Sequence, residues 1–227
     1  MDFGRAFTFV FDDEEWLKKI ALGAVISLIP IVGQFVVMGW GLEVTRRLIK
    51  EEGEALPGWD DFGGYLVSGL MVFVIGFVYY LPMILVQSCG YGGIALLSGT
   101  AEQEAFLTAG GIVTTCLACL AIIYSIAASL LVMAGVGKYA DTGELGAAFK
   151  FGEVFRMVRG NLGSYFLVLL GTIVSGFVAS LGTILCVIGV LVTTAYSMLV
   201  NGHLVGQAYT VARGNSELPD EPIPAAS

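Results

Sequence analysis

The chain has 227 residues, of which 56% are hydrophobic and 13% charged, with a net charge of −8 and a mean hydropathy of +0.84. Water-soluble domains carry about 25% charged residues, so this composition excludes a soluble enzyme, and its wealth of large apolar residues excludes a disordered or collagen-like chain. The acidic balance lacks the clustered positive charge that nucleic acid or anionic lipid requires, which leaves membrane lipids and other membrane proteins as the expected partners.

In chain order, the stretch from Met1-Asp2-Phe3-Gly4-Arg5 to Asp12-Asp13-Glu14-Glu15 has neither the positive start nor the small-residue cleavage site of a signal peptide. The first apolar segment is therefore expected to stay in the mature protein. Four runs without Asp, Glu, Lys or Arg follow: Ile20 to Leu42, Phe62 to Ala101, Ala105 to Gly137, and Gly160 to Ala212. A helix needs roughly 20 apolar residues to cross a hydrocarbon core of about 30 Å. The second and third runs then make a spanning hairpin closed by the loop Ser98 to Glu104, and the fourth has room for two crossings turned at Gly182-Thr183.

Pro30 divides the first run, with Gly33 just after it, and a proline withholds a backbone donor and kinks a helix. A single crossing would leave Arg5, Lys18 and Lys19 on one side and Arg46, Arg47 and Lys50 on the other. A hairpin broken at Ile29-Pro30 places both clusters together. With Lys138, Lys150, Arg156, Arg159 and Arg213, all eleven positive residues are then cytoplasmic, as the enrichment of Lys and Arg in cytoplasmic loops favours. The first arm, Trp16 to Ile29, rises only roughly 21 Å, too short for a full crossing. The expected fold is an all-α integral membrane protein of about six membrane helices. Its first hairpin is short or re-entrant, interfacial amphipathic helices accompany it, and both termini face the cytoplasm at the cell membrane.

A weak internal repeat supports that choice. Asp2-Phe3-Gly4-Arg5-Ala6-Phe7-Thr8-Phe9 matches Glu144-Leu145-Gly146-Ala147-Ala148-Phe149-Lys150-Phe151, and further on Ile31-Val32-Gly33 and Trp40 match Val187-Ile188-Gly189 and Tyr196. Both copies start on the same side, so the repeat is parallel, about an axis along the membrane normal. The expected organisation is one membrane domain: residues 1–55 the first repeat, 56–141 the central hairpin, 142–213 the second repeat and 214–227 a disordered acidic tail with prolines.

The stretch Leu56-Pro57-Gly58-Trp59-Asp60-Asp61-Phe62-Gly63 reads as a helix entrance, with Trp59 at the interface and Asp60 or Asp61 as cap. Together with Met1-Asp2-Phe3-Gly4-Arg5-Ala6-Phe7, Trp16-Leu17-Lys18-Lys19-Ile20 and Ile29-Pro30-Ile31-Val32-Gly33-Gln34, it resembles the family catalogued as domain of unknown function 4013. The resemblance is densest over residues 1–65 and looser to about residue 212. It implies a prokaryotic multi-pass membrane protein and supplies no catalytic residue.

Polar residues within apolar runs are the default functional candidates, because each is costly in lipid without a partner. Glu43 lies one turn before Arg46 and Arg47 and reads as an interfacial ion pair. Gln34 and Gln87 follow Pro30 and Pro82, where they can satisfy carbonyls freed by helix breaks. Asn201, His203 and Gln207 fall in the last turns of the final helix, and a lone His builds no metal or haem site. Cys116-x-x-Cys119 sits with Cys89 and Cys186 in apolar runs and reads as packing rather than metal or redox chemistry. The hydrolase and phosphate-loop patterns are missing, so the chain is expected to be non-enzymatic and without a cofactor. The stronger signal is packing: Gly171, Ser175 and Ala179 recur every fourth residue, and Thr172, Gly176 and Ser180 do so beside them. Small residues at this spacing let helices associate in lipid, either within one chain or between copies. A scaffold or subunit that assembles with itself or a partner is the first expectation. A small-molecule or lipid transporter, with Pro30 and Pro82 aimed at a midplane cavity between the repeats, is the second.

Overall fold

The computed structural model describes residues 1–53, 55–97 and 103–217. The helices are α1 (Arg5–Thr8), α2 (Trp16–Ser27), α3 (Val32–Ile49), α4 (Phe62–Leu97), α5 (Gln103–Thr142), α6 (Leu145–Ala148), α7 (Phe151–Gly160), α8 (Leu162–Leu181) and α9 (Cys186–Glu217), with 3-10 turns at Phe9–Asp12 and Gly182–Leu185. No strand occurs among the described residues.

The expected break at Pro30 is where α2 gives way to α3. A residue preceding proline is pushed out of the helical region, and the chain turns within four residues. Val32 N donates to Pro30 O at 2.7 Å across Ile31. Ile31 has φ 67° and ψ −63°, the strained three-residue turn that a β-branched side chain resists. Gly33 completes the device: a Cβ there would lie 2.0 Å from Ile26 O, so only glycine lets the first turn of α3 rest on the last turn of α2. The two helices fold back on one another, and Gly23 of α2 lies against Trp40 of α3.

α3 is flanked by α4 and α9. Against α4 the contact is backbone to backbone: a Cβ on Gly39 would fall 1.9 Å from Tyr65 O, and one on Gly69 1.8 Å from Phe35 O. Against α9, a Cβ on Gly202 would fall 2.1 Å from Gly41 O, and Thr45 Oγ1 donates to Gly202 O at 2.7 Å. α9 buries Ala195, Leu199, Val200, Leu204, Ala208 and Ala212.

Three helical segments among the described residues, Phe62–Gly93, Gly110–Thr142 and Leu162–Leu181, are long and apolar enough to cross a membrane. Their outer faces expose large apolar side chains, Ile123 and Phe177 at 68% each, which is the surface expected where lipid is the solvent. Against the expectation of about six membrane helices, these three are the ones among the described residues that are long and apolar enough. α2 has 12 residues and α3 18, and α9 interrupts its apolar run with Asn201, His203 and Gln207.

Pro82 does not break its helix: α4 runs through it. The proline gives no donor to the Val78 carbonyl and its ring crowds that turn; Tyr124 of α5 donates to the neighbouring Tyr79 carbonyl at 2.6 Å. α4 nevertheless continues through Pro82 without a discontinuity. The turn expected at Gly182-Thr183 is present as the 3-10 segment between α8 and α9. Most of the loop Ser98 to Glu104, and residues 218–227 of the tail, lie outside the described residues.

α7 is amphipathic, burying Val154 and Val158 while exposing Phe151 and Phe155. Lys138 of α5 pairs with Glu153 of α7. That hydrogen bond is the main reason the Glu153 carboxyl is held below the usual carboxylate range. At the other end of the chain, Asp13 joins three segments: it accepts from Glu15 N at 2.9 Å, Lys19 Nζ at 2.7 Å and Leu56 N at 3.2 Å. Two tryptophans extend this clasp, Trp59 Nε1 donating to Lys19 O at 3.0 Å and Trp40 Nε1 to Pro57 O at 3.1 Å.

Candidate functional site

The two small-residue stripes of α8 have different fates. Gly171 and Ser175 are buried against α9: a Cβ on Gly171 would meet Leu204 Cδ1 at 2.4 Å, and Ser175 Oγ donates to Asn201 Oδ1 at 3.1 Å. Ala179 continues this stripe, its carbonyl accepting from Thr193 Oγ1 at 3.1 Å, and Ser197 Oγ donates to Ser175 O at 2.9 Å. This stripe closes the α8–α9 hairpin within the chain. On the second stripe Gly176 and Ser180 are exposed, and a Cβ on Gly176 meets no atom within 4 Å. The outer face of α8 therefore carries a groove of small residues among Phe177, Ile173 and Leu181, which stand out from it.

The polar candidates separate in the same way. Asn201 borders an apolar cavity of about 190 Å³ between α3, α4, α5, α8 and α9, with Met38, Thr45, Met133 and Val205 among its walls. The Thr45 hydroxyl and the Asn201 carbonyl oxygen are already used for packing. His203, buried, stacks on Phe9 with ring centroids 4.4 Å apart and shares a 3.0 Å hydrogen bond between Nδ1 and Gln207 Nε2. Gln207 also accepts from Asp2 N at 2.8 Å, so these residues fasten the N-terminal segment to α9.

Gln34 Nε2 faces the Ser27 carbonyl at 3.4 Å, beside the break where such a carbonyl is left free. Gln87 differs: its Oε1 is buried and finds no hydrogen-bond partner among the described residues. Glu43 accepts from Arg46 Nη1 at 2.7 Å and lies 3.5 Å from Arg47 Nε. Pro30 and Pro82 are both exposed. Cys89, Cys116 and Cys119 are free and exposed, so the packing role read from sequence does not hold for them: α4 and α5 turn them outward.

Sequence reasoning missed the glycine pair Gly39 and Gly69 and the clasp at Asp13. The glycines lie in apolar runs with no period that singles them out. Asp13 stands in a row of four acids, and only the fold selects one.

These elements define the class: a helical membrane protein whose helices meet through small residues and whose polar side chains mostly serve packing. The chain belongs to the family described as Protein of unknown function (DUF4013), which matches residues 22–188. The densest sequence resemblance begins earlier, so the Met1 to Phe7 motif lies outside that match. No curated protein and no solved structure matches the chain.

Proposed function

We propose that this protein is a non-enzymatic multi-pass subunit or scaffold of the cell membrane that assembles with further copies of itself through the outer face of α8. The observation that carries the reading is the contrast between the stripes: Gly171 and Ser175 are occupied by α9, while Gly176 and Ser180 are open on a helix long and apolar enough to lie in lipid. Small residues on a lipid-facing helix allow close backbone approach, which drives helix association there.

In this reading the first hairpin enters the membrane from the cytoplasmic side and returns, both termini are cytoplasmic, and six helical segments contact the bilayer. A parallel repeat has support from the contacts. Ile26 approaches Gly33 at the first turn, and Gly182 approaches Gly189 at the second, both pairs related by one offset of 156. α3 and α9 also run side by side at a constant separation: Thr45 meets Gly202 across 157 residues, and Gly41 meets Met198 across the same interval.

A lipid-handling or transporter role is the second reading, favoured by the apolar cavity beside Asn201. The continuity of α4 through Pro82 removes one of the two helix breaks on which it drew. Native mass spectrometry in a mild detergent separates the readings. A defined oligomer that Gly176→Leu reduces to monomers of unchanged melting temperature supports assembly. A monomer that retains a stoichiometric small molecule supports transport.

A further inference from the structure

Where α3 ends and α4 begins, a polar cavity of about 230 Å³ opens. Glu43, Arg46 and Arg47 line it from the last turns of α3, Asp60 and Asp61 from the entrance segment, and Tyr65 and Ser68 from the first turns of α4. Two separate sequence features, the Glu-x-x-Arg-Arg cluster and the Trp-Asp-Asp entrance, thus converge on one space. The apolar span of α4 starts at Phe62, so the two aspartates stand just outside it while Tyr65 and Ser68 stand just inside. The cavity straddles the level at which lipid headgroups sit.

Its charges are only partly spent on each other. Glu43 engages one nitrogen of each arginine, and Arg47 Nη1 also reaches Ala55 O at 3.5 Å. A guanidinium offers five N–H donors, so both retain donors for another anion. Asp61 caps α4 by accepting from Gly64 N at 2.9 Å, whereas Asp60 accepts no hydrogen bond among the described residues. One wall is therefore cationic and the other anionic, with three carboxylates to two guanidiniums. A simple anion entering here meets the three carboxylates, and a simple cation meets the two arginines. A small zwitterion with a phosphate at one end and an ammonium at the other satisfies both walls. Beside the cavity, Phe62, Val67 and Leu70 of α4 are exposed at 39%, 55% and 40%, an apolar surface on which acyl chains can lie.

We infer that this cavity binds the phosphoethanolamine group of a phosphatidylethanolamine lipid, with the phosphate on Arg46 and Arg47 and the ammonium on Asp60 and Asp61. Choline lacks the N–H donors that the aspartates would accept, and phosphatidylglycerol lacks the cation altogether. The site is independent of how copies of the chain assemble.

The test uses the full-length protein in mild detergent, given dioleoyl phosphatidylethanolamine, phosphatidylcholine or phosphatidylglycerol in turn, with retained lipid read by native mass spectrometry. Phosphatidylethanolamine is expected as a one-to-one adduct that outlasts the other two. Arg46→Gln and Asp60→Asn should each weaken its retention about tenfold or more, the scale of one charge-assisted hydrogen bond, at unchanged melting temperature. Should Arg46→Gln unfold the chain, Asp60→Asn decides, since Asp60 holds no part of the fold. Equal retention of phosphatidylglycerol, or wild-type retention by Asp60→Asn, would overturn the inference. Soluble phosphoethanolamine is the second arm. If it displaces the lipid at equimolar concentration, the lipid source is overturned and the zwitterion chemistry stands.

Discussion

Replacing Gly39 with Ala tests whether α3 and α4 meet as closely as described. The new Cβ would lie 1.9 Å from Tyr65 O, 2.7 Å from Tyr65 C and 2.9 Å from Gly69 N, all backbone atoms of α4. No rotamer change relieves such a contact, so reaching ordinary separation requires the helices to part by about 1.5 Å. Overpacking costs about 1–3 kcal/mol, and a displacement of two backbones belongs at the upper end. For a chain of this size, about 3 kcal/mol lowers the melting temperature by roughly 6–12 °C. Gly69 occupies the same crossing, with its own Cβ 1.8 Å from Phe35 O. Once the helices have parted for one methyl group they have room for the second, so Gly39→Ala with Gly69→Ala should cost clearly less than the sum of the two. Gly76→Ala, further along α4, is the control: its Cβ meets no atom within 4 Å, and exchanging glycine for alanine inside a helix stabilises by up to about 1 kcal/mol. Thermal unfolding of the four variants in one detergent reads all of this. Wild-type melting by Gly39→Ala, or additive losses in the double variant, would refute the close crossing.

Two further predictions concern the first hairpin. Ile31→Gly removes a β-branched residue from positive φ, which costs about 1–3 kcal/mol, against an entropic penalty for glycine of about 0.5–1 kcal/mol. The variant should melt above the wild type; a lower melting point would show that the turn is not strained. Asp13 gives a pH signature. Burial pushes its carboxyl up, but the Lys19 ammonium and the Glu15 and Leu56 amides outweigh that and hold it below the model-compound value of 3.8. A depressed carboxylate contributes stability that is full above its unfolded value and fades as pH falls below about 4 through the folded value. Asp13→Asn should therefore be less stable than the wild type at pH 7, and the gap should narrow as pH falls below about 4, as followed by melting temperature; a constant gap would remove Asp13 from the clasp.

The break at Pro30, the turn at Gly182 and the long central hairpin were legible because proline, glycine and the absence of charge act locally. The inner role of Gly171 and Ser175 and the outer position of Gly176 were legible only as two stripes, since periodicity gives faces without saying which face meets α9. Pro82 shows the limit of local reading. Its chemistry favours a break, yet α4 runs on through it, packed along α5. The polar cavity was out of reach for a similar reason: Glu43 with its arginines and the aspartates of the entrance each have an adequate local explanation, as ion pair and cap. Only the packing of α3 on α4 faces them toward one another. His203 reads as a lone interfacial imidazole and proves to be a buried packing residue beneath Phe9.

A hairpin broken at Pro30 requires the chain before α2 and the chain after α3 to lie on the same side of the membrane. With Cys89, Cys116, Cys119 and Cys186 replaced by serine, single cysteines at Glu14 and Glu52, both exposed, report their side through a membrane-impermeant maleimide. Labelling of both positions only after the membrane is opened, in cells whose external face alone is first accessible, is the predicted result. Labelling of one from outside and the other only from inside would contradict the hairpin, and with it the parallel arrangement of the two halves.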